Sequence, residues 1–337
     1  MDKEIIQQVL LSLESSLENK GDGMFLDDKE SVKVDIDNFQ SVKGSESDRK
    51  ICFVDGGNLE ILKAPNFSVQ IIRVYYTIYQ RNKRILAKKK EFFILVKAVN
   101  KEGKIFYETE SFGDSIVGKL RFFAYDEEMK TGMARVEVSS IAPFVRRLCE
   151  IRIIEEIVDE LGKGDIIVLD GDLQAKTRVE KEFLERAYEL SNAKGIIVSG
   201  LAKTNTLLSD SGNAFMQLLL DKAPLEEWYY KILNEDGKDI MILRLHRKSN
   251  HIFKFEIRKE NLDDIDEVAY LLKRNSVDPV FLGYPYGLIE ADRFARVTRQ
   301  ELDYLKTKFI LQAGKWYKEL AKYLNNTNSH EILDTIS

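Results

Sequence analysis

Two aspartates in this chain stand at the ends of apolar runs, each followed by glycine. In DIIVLDGDL, residues 165–173, four apolar residues lead to Asp170, then Gly171 and a second carboxylate, Asp172. In ICFVDGG, residues 51–57, a shorter run leads to Asp55 and Gly56. A third carboxylate, Glu150, has Ile154, Ile157 and Leu161 at +4, +7 and +11, which puts it on the apolar stripe of its own helix. Burying a lone carboxylate is costly, or drives it to the protonated form. Three at one sheet edge would also repel one another. A divalent cation relieves both problems. Mg2+ or Mn2+ takes hard oxygen ligands and keeps positions for water and phosphate, and a pair of ions can activate a water and stabilise the leaving oxygen of a phosphodiester. Glycine beside each aspartate leaves room for a phosphate backbone.

Each feature alone has a plainer reading. A single Asp-Gly after a strand is usually a turn. A Glu on an apolar stripe is often an edge residue reaching water or a neighbouring Arg146 or Arg147. The succession is more specific than its parts: Asp on a strand, Glu on a helix, Asp on a strand is the order of the ribonuclease-H-like fold. Glu156 shares a solvated face with Arg152, Asp159 and Glu160, and Glu155 lies at the stripe's edge as the first replacement should Glu150 face away.

The elements that must position these residues follow from periodicity. Ile5, Val9, Leu13 and Leu17 predict an amphipathic N-terminal helix. Residues 20–50 read as a polar linker or loosely packed arm. Strands are expected at 51–54, 69–79 and 91–100, with the basic stretch QRNKRILAKKK as the turn between the last two. Residues 104–110 either add a strand or open an excursion to about residue 135. Pro143 opens a helix stopped by Gly162 and Gly164. The buried strand 166–170, a helix over 176–191 and a strand over 195–200 follow. Early strands joined by short links suit antiparallel pairing, and later ones separated by helices suit parallel crossovers. A hairpin with its turn at Lys248–Ser249–Asn250, a helix over 262–274 and one long final helix to about Leu324 complete the reading. The expected fold class is α/β: a ribonuclease-H-like mixed sheet flanked by helices, with added N- and C-terminal helices and a β-hairpin. The expected organisation is 1–47 as helix and linker, 48–300 as the main domain, and 301–337 as C-terminal helix and polar tail.

Composition narrows the function. The 337 residues are 44% hydrophobic and 32% charged, enough for a substantial core. The net charge of −5 excludes a generally basic nucleic-acid coat, so strand binding needs a local basic surface. Only Cys52 and Cys149 occur, and only His246, His251 and His330, which excludes a disulfide framework and Cys- or His-rich metal modules. No window reaches the ~18 apolar residues of a membrane span, the N-terminus is too acidic for a signal peptide, and a cytoplasmic location is expected.

Four segments in order, FVDGG, LCEIR before VLDGDL, GLAKTNTLL and GYPYGLIEADRFARV, resemble the NurA nuclease family over roughly residues 48–300. The resemblance implies a ribonuclease-H-like nuclease using Mn2+ or Mg2+, two ions, to process DNA ends. It also implies a homodimer working with a HerA-type hexameric ATPase in end resection for recombinational repair. By motif, Asp55, Glu150 and Asp170 match the family's metal ligands, and Tyr284 matches the tyrosine of its Gly-Tyr-Pro segment. The chain departs from the family at three points. Gly57 and Asp172 stand where serine is usual, and Asp292 replaces a functional histidine. An aspartate can be a fourth hard ligand, but at an ordinary pKa it is no proton shuttle near neutrality. Lys203 at a sheet edge could hold a phosphate or stabilise developing charge, though a lysine there is equally a solvent residue. Tyr284 and Tyr286 could stack on an unpaired base or orient a water, or could pack around Pro285, the better account of Tyr286. Arg244, Arg247, Lys248, Lys254 and Arg258 on the hairpin, and the basic stretch 81–90, are candidate DNA tracks.

The expected activity is therefore hydrolysis of phosphodiesters at DNA ends, on single or double strands, with internal cleavage of single strands as a further option. An alternative from another class is a weakly active or inactive DNA-binding adaptor capping a ring ATPase, motivated by Asp292. A phosphate-binding regulator using only the Asp-Gly loops is a third; the chain has no P-loop or Gly-x-Gly-x-x-Gly fingerprint.

Overall fold

The computed structural model describes residues 3–18, 21–27, 30–130, 133–203 and 206–325. In chain order the elements are α1 (Lys3–Leu17), β1 (Gly23–Asp27), β2 (Glu30–Lys33), β3 (Phe39–Ser41), β4 (Lys50–Ala64), β5 (Phe67–Gln80), β6 (Lys83–Lys101), β7 (Lys104–Gly113) and β8 (Arg121–Phe123). Next come α2 (Ile141–Arg152), α3 (Ile154–Ile157), β9 (Ile166–Asp170), α4 (Arg178–Lys194), β10 (Ile197–Ala202) and α5 (Phe215–Lys222). The chain closes with β11 (Trp228–Glu235), β12 (Lys238–Arg244), β13 (Phe253–Arg258), α6 (Ile265–Asn275), α7 (Tyr286–Ala295), α8 (Arg299–Ala313) and α9 (Tyr317–Asn325).

The chain divides into two compact units. Residues 1–47 group with 200–286, and 48–199 with 287–337. In the larger unit the strand order is β10-β9-β4-β5-β6-β7-β8, with β4 parallel to β9 and antiparallel to β5. Strands β5 to β8 form an antiparallel meander. This is the mixed, helix-flanked, ribonuclease-H-like sheet that the segment order predicts. One face carries α2, α3 and α4 over Cys52, Val54, Ile72, Val74 and Tyr76. The other carries α7 over Tyr75, and α8 and α9 over Ile61, Leu62 and Ile71. Helices on both sides explain why β5 is apolar almost without alternation: both of its faces are buried. In the smaller unit β3, β11, β12 and β13 pair antiparallel in that order, with Trp228, Phe215 and Leu219 in the core.

Several local expectations change. The polar arm 20–50 contains β1, β2 and β3. The basic stretch after β5 is not a long turn. Arg81 and Asn82, with φ of 48° and 58°, make a two-residue hairpin loop, and the remaining basic residues belong to β6. There Arg84 pairs with Glu290, Lys88 with Glu160, Lys89 with Glu91, and Lys90 with Asp114 and Glu156, and Arg81 of the loop pairs with Asp48, so most cations of this run have acidic partners. Residues 104–113 do add a strand, β7. The predicted helix from Pro143 starts at Ile141 and is interrupted at Ile153. Strand β11 was not expected, and the single final helix is α7, α8 and α9. Helix α1 is present but buries none of its residues. Most of the polar tail, 326–337, and Thr204 and Asn205 of the GLAKTNTLL segment lie outside the described residues.

Two charged braces tie the helices of the larger unit to its sheet and to one another. Arg73, 6% exposed in the middle of apolar β5, binds Glu91, Glu301 of α8 and the Arg296 carbonyl. Arg147 of α2 joins Glu150 at 3.3 Å to Glu180 of α4 at 3.2 Å. Both of those carboxylates are nearly fully buried, so removing the cation leaves Glu180 without its arginine and Glu150 with Arg146 alone. Arg147→Met is expected to lower the unfolding free energy by about 3 kcal/mol or more, measured by urea denaturation. The hydrogen bond from Arg73 holds the Glu301 carboxyl below its ordinary value of 4.5, with burial opposing. A lowered folded pKa means stability that is present above that value and lost as pH falls through and below it. Glu301→Gln should therefore flatten the acid limb of thermal midpoint against pH; an unchanged acid limb counts against this brace.

Candidate metal centre

Asp55 does not end its strand. It lies in the middle of the fifteen-residue β4, opposite Tyr75 of β5. On its other side the parallel partner β9 stops: the pairing ends at Val54 with Leu169, and the next residue of β9 is Asp170. Paired residues of adjacent strands share a face. Asp55 and Asp170 thus emerge together where one strand leaves the sheet and the other continues. Gly171 then turns the chain with φ +114°, a conformation costly for any residue with a Cβ, and nothing lies within 4 Å of where a Cβ would stand. Its glycine is required by the backbone as well as leaving space.

The third member comes from α7. One carboxylate oxygen each of Asp55, Asp170 and Asp292 lie within 4.8 Å of one another. Asp55 is 8% exposed, and Asp292 is also bound by Arg296 at 2.6 Å one helical turn on. Three hard oxygen donors of like charge at this separation, partly withdrawn from water, fit a divalent cation such as Mg2+ or Mn2+. The substitution of aspartate for the resembled family's histidine thus falls on a member of the cluster.

Glu150 is buried at 2% exposure, as its place on the stripe predicts, but it reaches the site from the other face of the sheet. Side chains alternate along β4. Phe53, Asp55 and Gly57 face α7, whereas Gly56 faces α2, where an added Cβ would stand 2.6 Å from Glu150 Oε1. Gly56 therefore makes room for Glu150, not for phosphate. Arg146 donates to both Glu150 and the Gly56 carbonyl, the latter at 2.8 Å, and Arg147 donates to Glu150 from the other side. Burial pushes the Glu150 carboxyl above its ordinary range against the pull of the two arginines, and the charge on Asp170 adds to the rise. Glu150 therefore adjoins the three-aspartate cluster without being one of its members. Glu155 does not replace it; its carboxylate binds Arg152.

Asp172 also stays outside the cluster. Its carboxylate accepts from the Gln174 backbone at 3.3 Å, making a local turn, and its carbonyl accepts from Arg147. Gly57 has its own account: a Cβ there would overlap the Ala295 carbonyl at the end of α7. The close seating of α7 excludes the serine usual in the resembled family.

Lys203 and Tyr284 both belong to the smaller unit, where the Lys203 ammonium stands 5.4 Å over the Tyr284 ring. Tyr284 is fully buried, stacked on Phe281 at 5.1 Å and against Phe253 at 5.0 Å, while Tyr286 is 38% exposed. The packing role expected of Tyr286 thus falls to Tyr284. The hairpin cations are divided. Arg244 is buried and donates to the carbonyls of Ser249, Pro224 and Arg247, bracing the loop. Lys254 pairs with Glu256 and Arg258 with Glu260, while Arg247 and Lys248 are exposed. A residue missed in the sequence is Glu290, 5% exposed on α7. Its signal was available: it is an acid set between the apolar residues Ile289 and Ala291 of a short helix.

A family profile described as NurA domain matches residues 49–297. No curated protein matches the sequence. Among solved structures, the fold is similar to the NurA nuclease from Sulfolobus solfataricus, with a TM-score of 0.55 at 11% identity over 94% of this chain and 99% of that one. Weaker likenesses are to endonuclease V from Ciona intestinalis, with a TM-score of 0.39 at 11% identity over 90% of this chain and 100% of that one, and to the catalytic domain of human endonuclease V, with a TM-score of 0.38 at 11% identity over 92% and 100%. With the profile matched from residue 49 to residue 297, this chain belongs to the NurA family.

Proposed function

We propose that this protein is a divalent-metal-dependent deoxyribonuclease that hydrolyses phosphodiesters at DNA ends. The observation that carries the reading is the convergence of Asp55, Asp170 and Asp292 within 4.8 Å at the end of β9. These three carboxylates would hold the ion or ions, Mn2+ or Mg2+ and two in number by family analogy. A bound divalent cation supplies activation of a water and stabilisation of the leaving oxygen. The chain's own residues do the rest. The aspartates fix where charge is concentrated, the open space beside Gly171 admits a phosphate, and Glu150 holds Arg146 against the Gly56 carbonyl behind the site. Lys203 is proposed to assist the substrate, with the buried Tyr284 ring beneath its ammonium seating it, and Arg247 and Lys248 to contact the strand. Family membership also supports a homodimer, a HerA-type hexameric ATPase as partner, a role in end resection for recombinational repair, and a cytoplasmic setting. Among the described residues no helix is long and apolar enough to cross a membrane.

The presence of Asp292 in the cluster favours this reading over that of an inactive adaptor, since the substituted residue still delivers a hard oxygen. Asp55→Asn should reduce Mn2+-dependent cleavage of linear DNA to background with an unchanged circular dichroism spectrum; undiminished cleavage by a folded Asp55→Asn protein sinks the assignment. A parent protein that cleaves nothing with Mn2+ or Mg2+, alone or with its ATPase, would establish the adaptor instead. Gly57→Ser, the residue usual in the family, should overpack α7 and cost about 1–3 kcal/mol, read as a lower thermal midpoint, because the overlap is with backbone and not with a flexible side chain.

A further inference from the structure

Helix α7 carries a second acid whose arrangement the proposed chemistry does not use. Glu290 lies two residues before Asp292, and residues so spaced point to different sides of a helix. Asp292 turns toward Asp55 and Asp170; Glu290 turns into β5. It is 5% exposed and accepts from the Tyr75 hydroxyl at 2.6 Å, from the Tyr79 hydroxyl, and from Arg84 at 2.9 Å. Its neighbours on the seat of α7 make apolar contacts. Gly287 lies directly on the Phe53 ring, Ala291 and Ala295 pack on Tyr75, and Phe294 stacks on the Tyr75 ring at 5.1 Å.

Alanine and glycine contacts bring the helix close but resist sliding and rotation weakly, because they have no direction. Three hydrogen bonds to one carboxylate do have direction. A buried, bonded charge is also a poor choice for stability alone, since an apolar residue of similar volume often serves as well or better. Its better-attested use is to specify register. We infer that Glu290, held by Tyr75, Tyr79 and Arg84, is a positioning residue: it sets the axial and rotational register of α7 and so how closely Asp292 approaches Asp55 and Asp170. The affinity of the cluster for a divalent ion is then governed partly from the far side of the helix. This inference rests on the reading of the three aspartates as a cation site.

The test is Mn2+ binding, followed by electron paramagnetic resonance on metal-free protein, for the parent, Glu290→Gln, Asp292→Ala and the double variant. Outer partners that orient a ligand typically contribute 10–100-fold in metal affinity. Glu290→Gln should therefore raise the Mn2+ Kd by about tenfold or more in protein that remains folded, and saturating Mn2+ should restore cleavage. In the Asp292→Ala background the same change should have almost no further effect, because Glu290 acts through Asp292; a residue that merely stabilises the fold would show neither pattern. Tyr79→Phe, which removes one donor, provides a milder variant should Glu290→Gln not fold, and it should weaken Mn2+ in the same direction. A parent without a saturable Mn2+ site overturns the reading of the site and this inference with it. A parent that binds Mn2+ while folded Glu290→Gln or Tyr79→Phe binds it within twofold overturns this inference alone, as does an undiminished effect of Glu290→Gln in the Asp292→Ala background.

Discussion

Like charge held at short range is the constraint around which the larger unit is organised. Three carboxylates approach within 4.8 Å in a partly dry place, and repulsion at such distances grows as the local dielectric falls. Side chains alone cannot enforce this; the backbone must. Asp55 is held by the long pairing of β4 with β5 and Asp170 by the parallel pairing of β4 with β9. Asp292 is held by a helix seated so closely that Gly57 and Gly287 admit no Cβ. Each carboxylate is therefore placed by a different element of the backbone, β4, β9 or α7, before any ion is considered.

A second layer of charge surrounds the first and is fully paired. Arg147 joins two buried acids across α2 and α4, and Arg73 ties β5 to α8 through Glu301 and the Arg296 carbonyl. These are buried cations inside apolar sequence, and each connects a helix to the sheet or to another helix. They raise the cost of any displacement, because moving one partner strands a charge in the interior. Glu150 belongs to this layer. Gly56 opens the gap through which it comes close, and Arg146 and Arg147 take its charge.

Much of the fold was legible because the physics was local. Strand β9 is a short apolar run between turn signals, and α4 has Thr177 capping its N-terminus and Gly195 in left-handed conformation at its end. What was missed was also local but faint. Arg81–Asn82 and Asp236–Gly237 are two-residue turns with positive φ at both positions. The second carries the familiar Asp-Gly hairpin signal, yet the acidic, mixed sequence around it hid β11. Arg73, one charge in an apolar strand, announced a buried partner without saying which. The basic stretch 81–90 looked like a DNA track because its acidic partners, Glu160, Glu156, Asp114 and Glu290, are distant in sequence.

By itself the sequence determined the order of the acids along strand, helix and strand, the fold class and the family, because these depend on periodicity and on motifs a few residues long. Tertiary structure alone decided which acids meet. Alternation along β4 sends Asp55 to one face and opens Gly56 to Glu150 on the other. The early end of β9 brings Asp170 beside Asp55, and the seat of α7 brings in Asp292 from more than a hundred residues away. Spacing along a chain fixes the face of an element, but which faces are pressed together depends on contacts between residues that no local pattern connects.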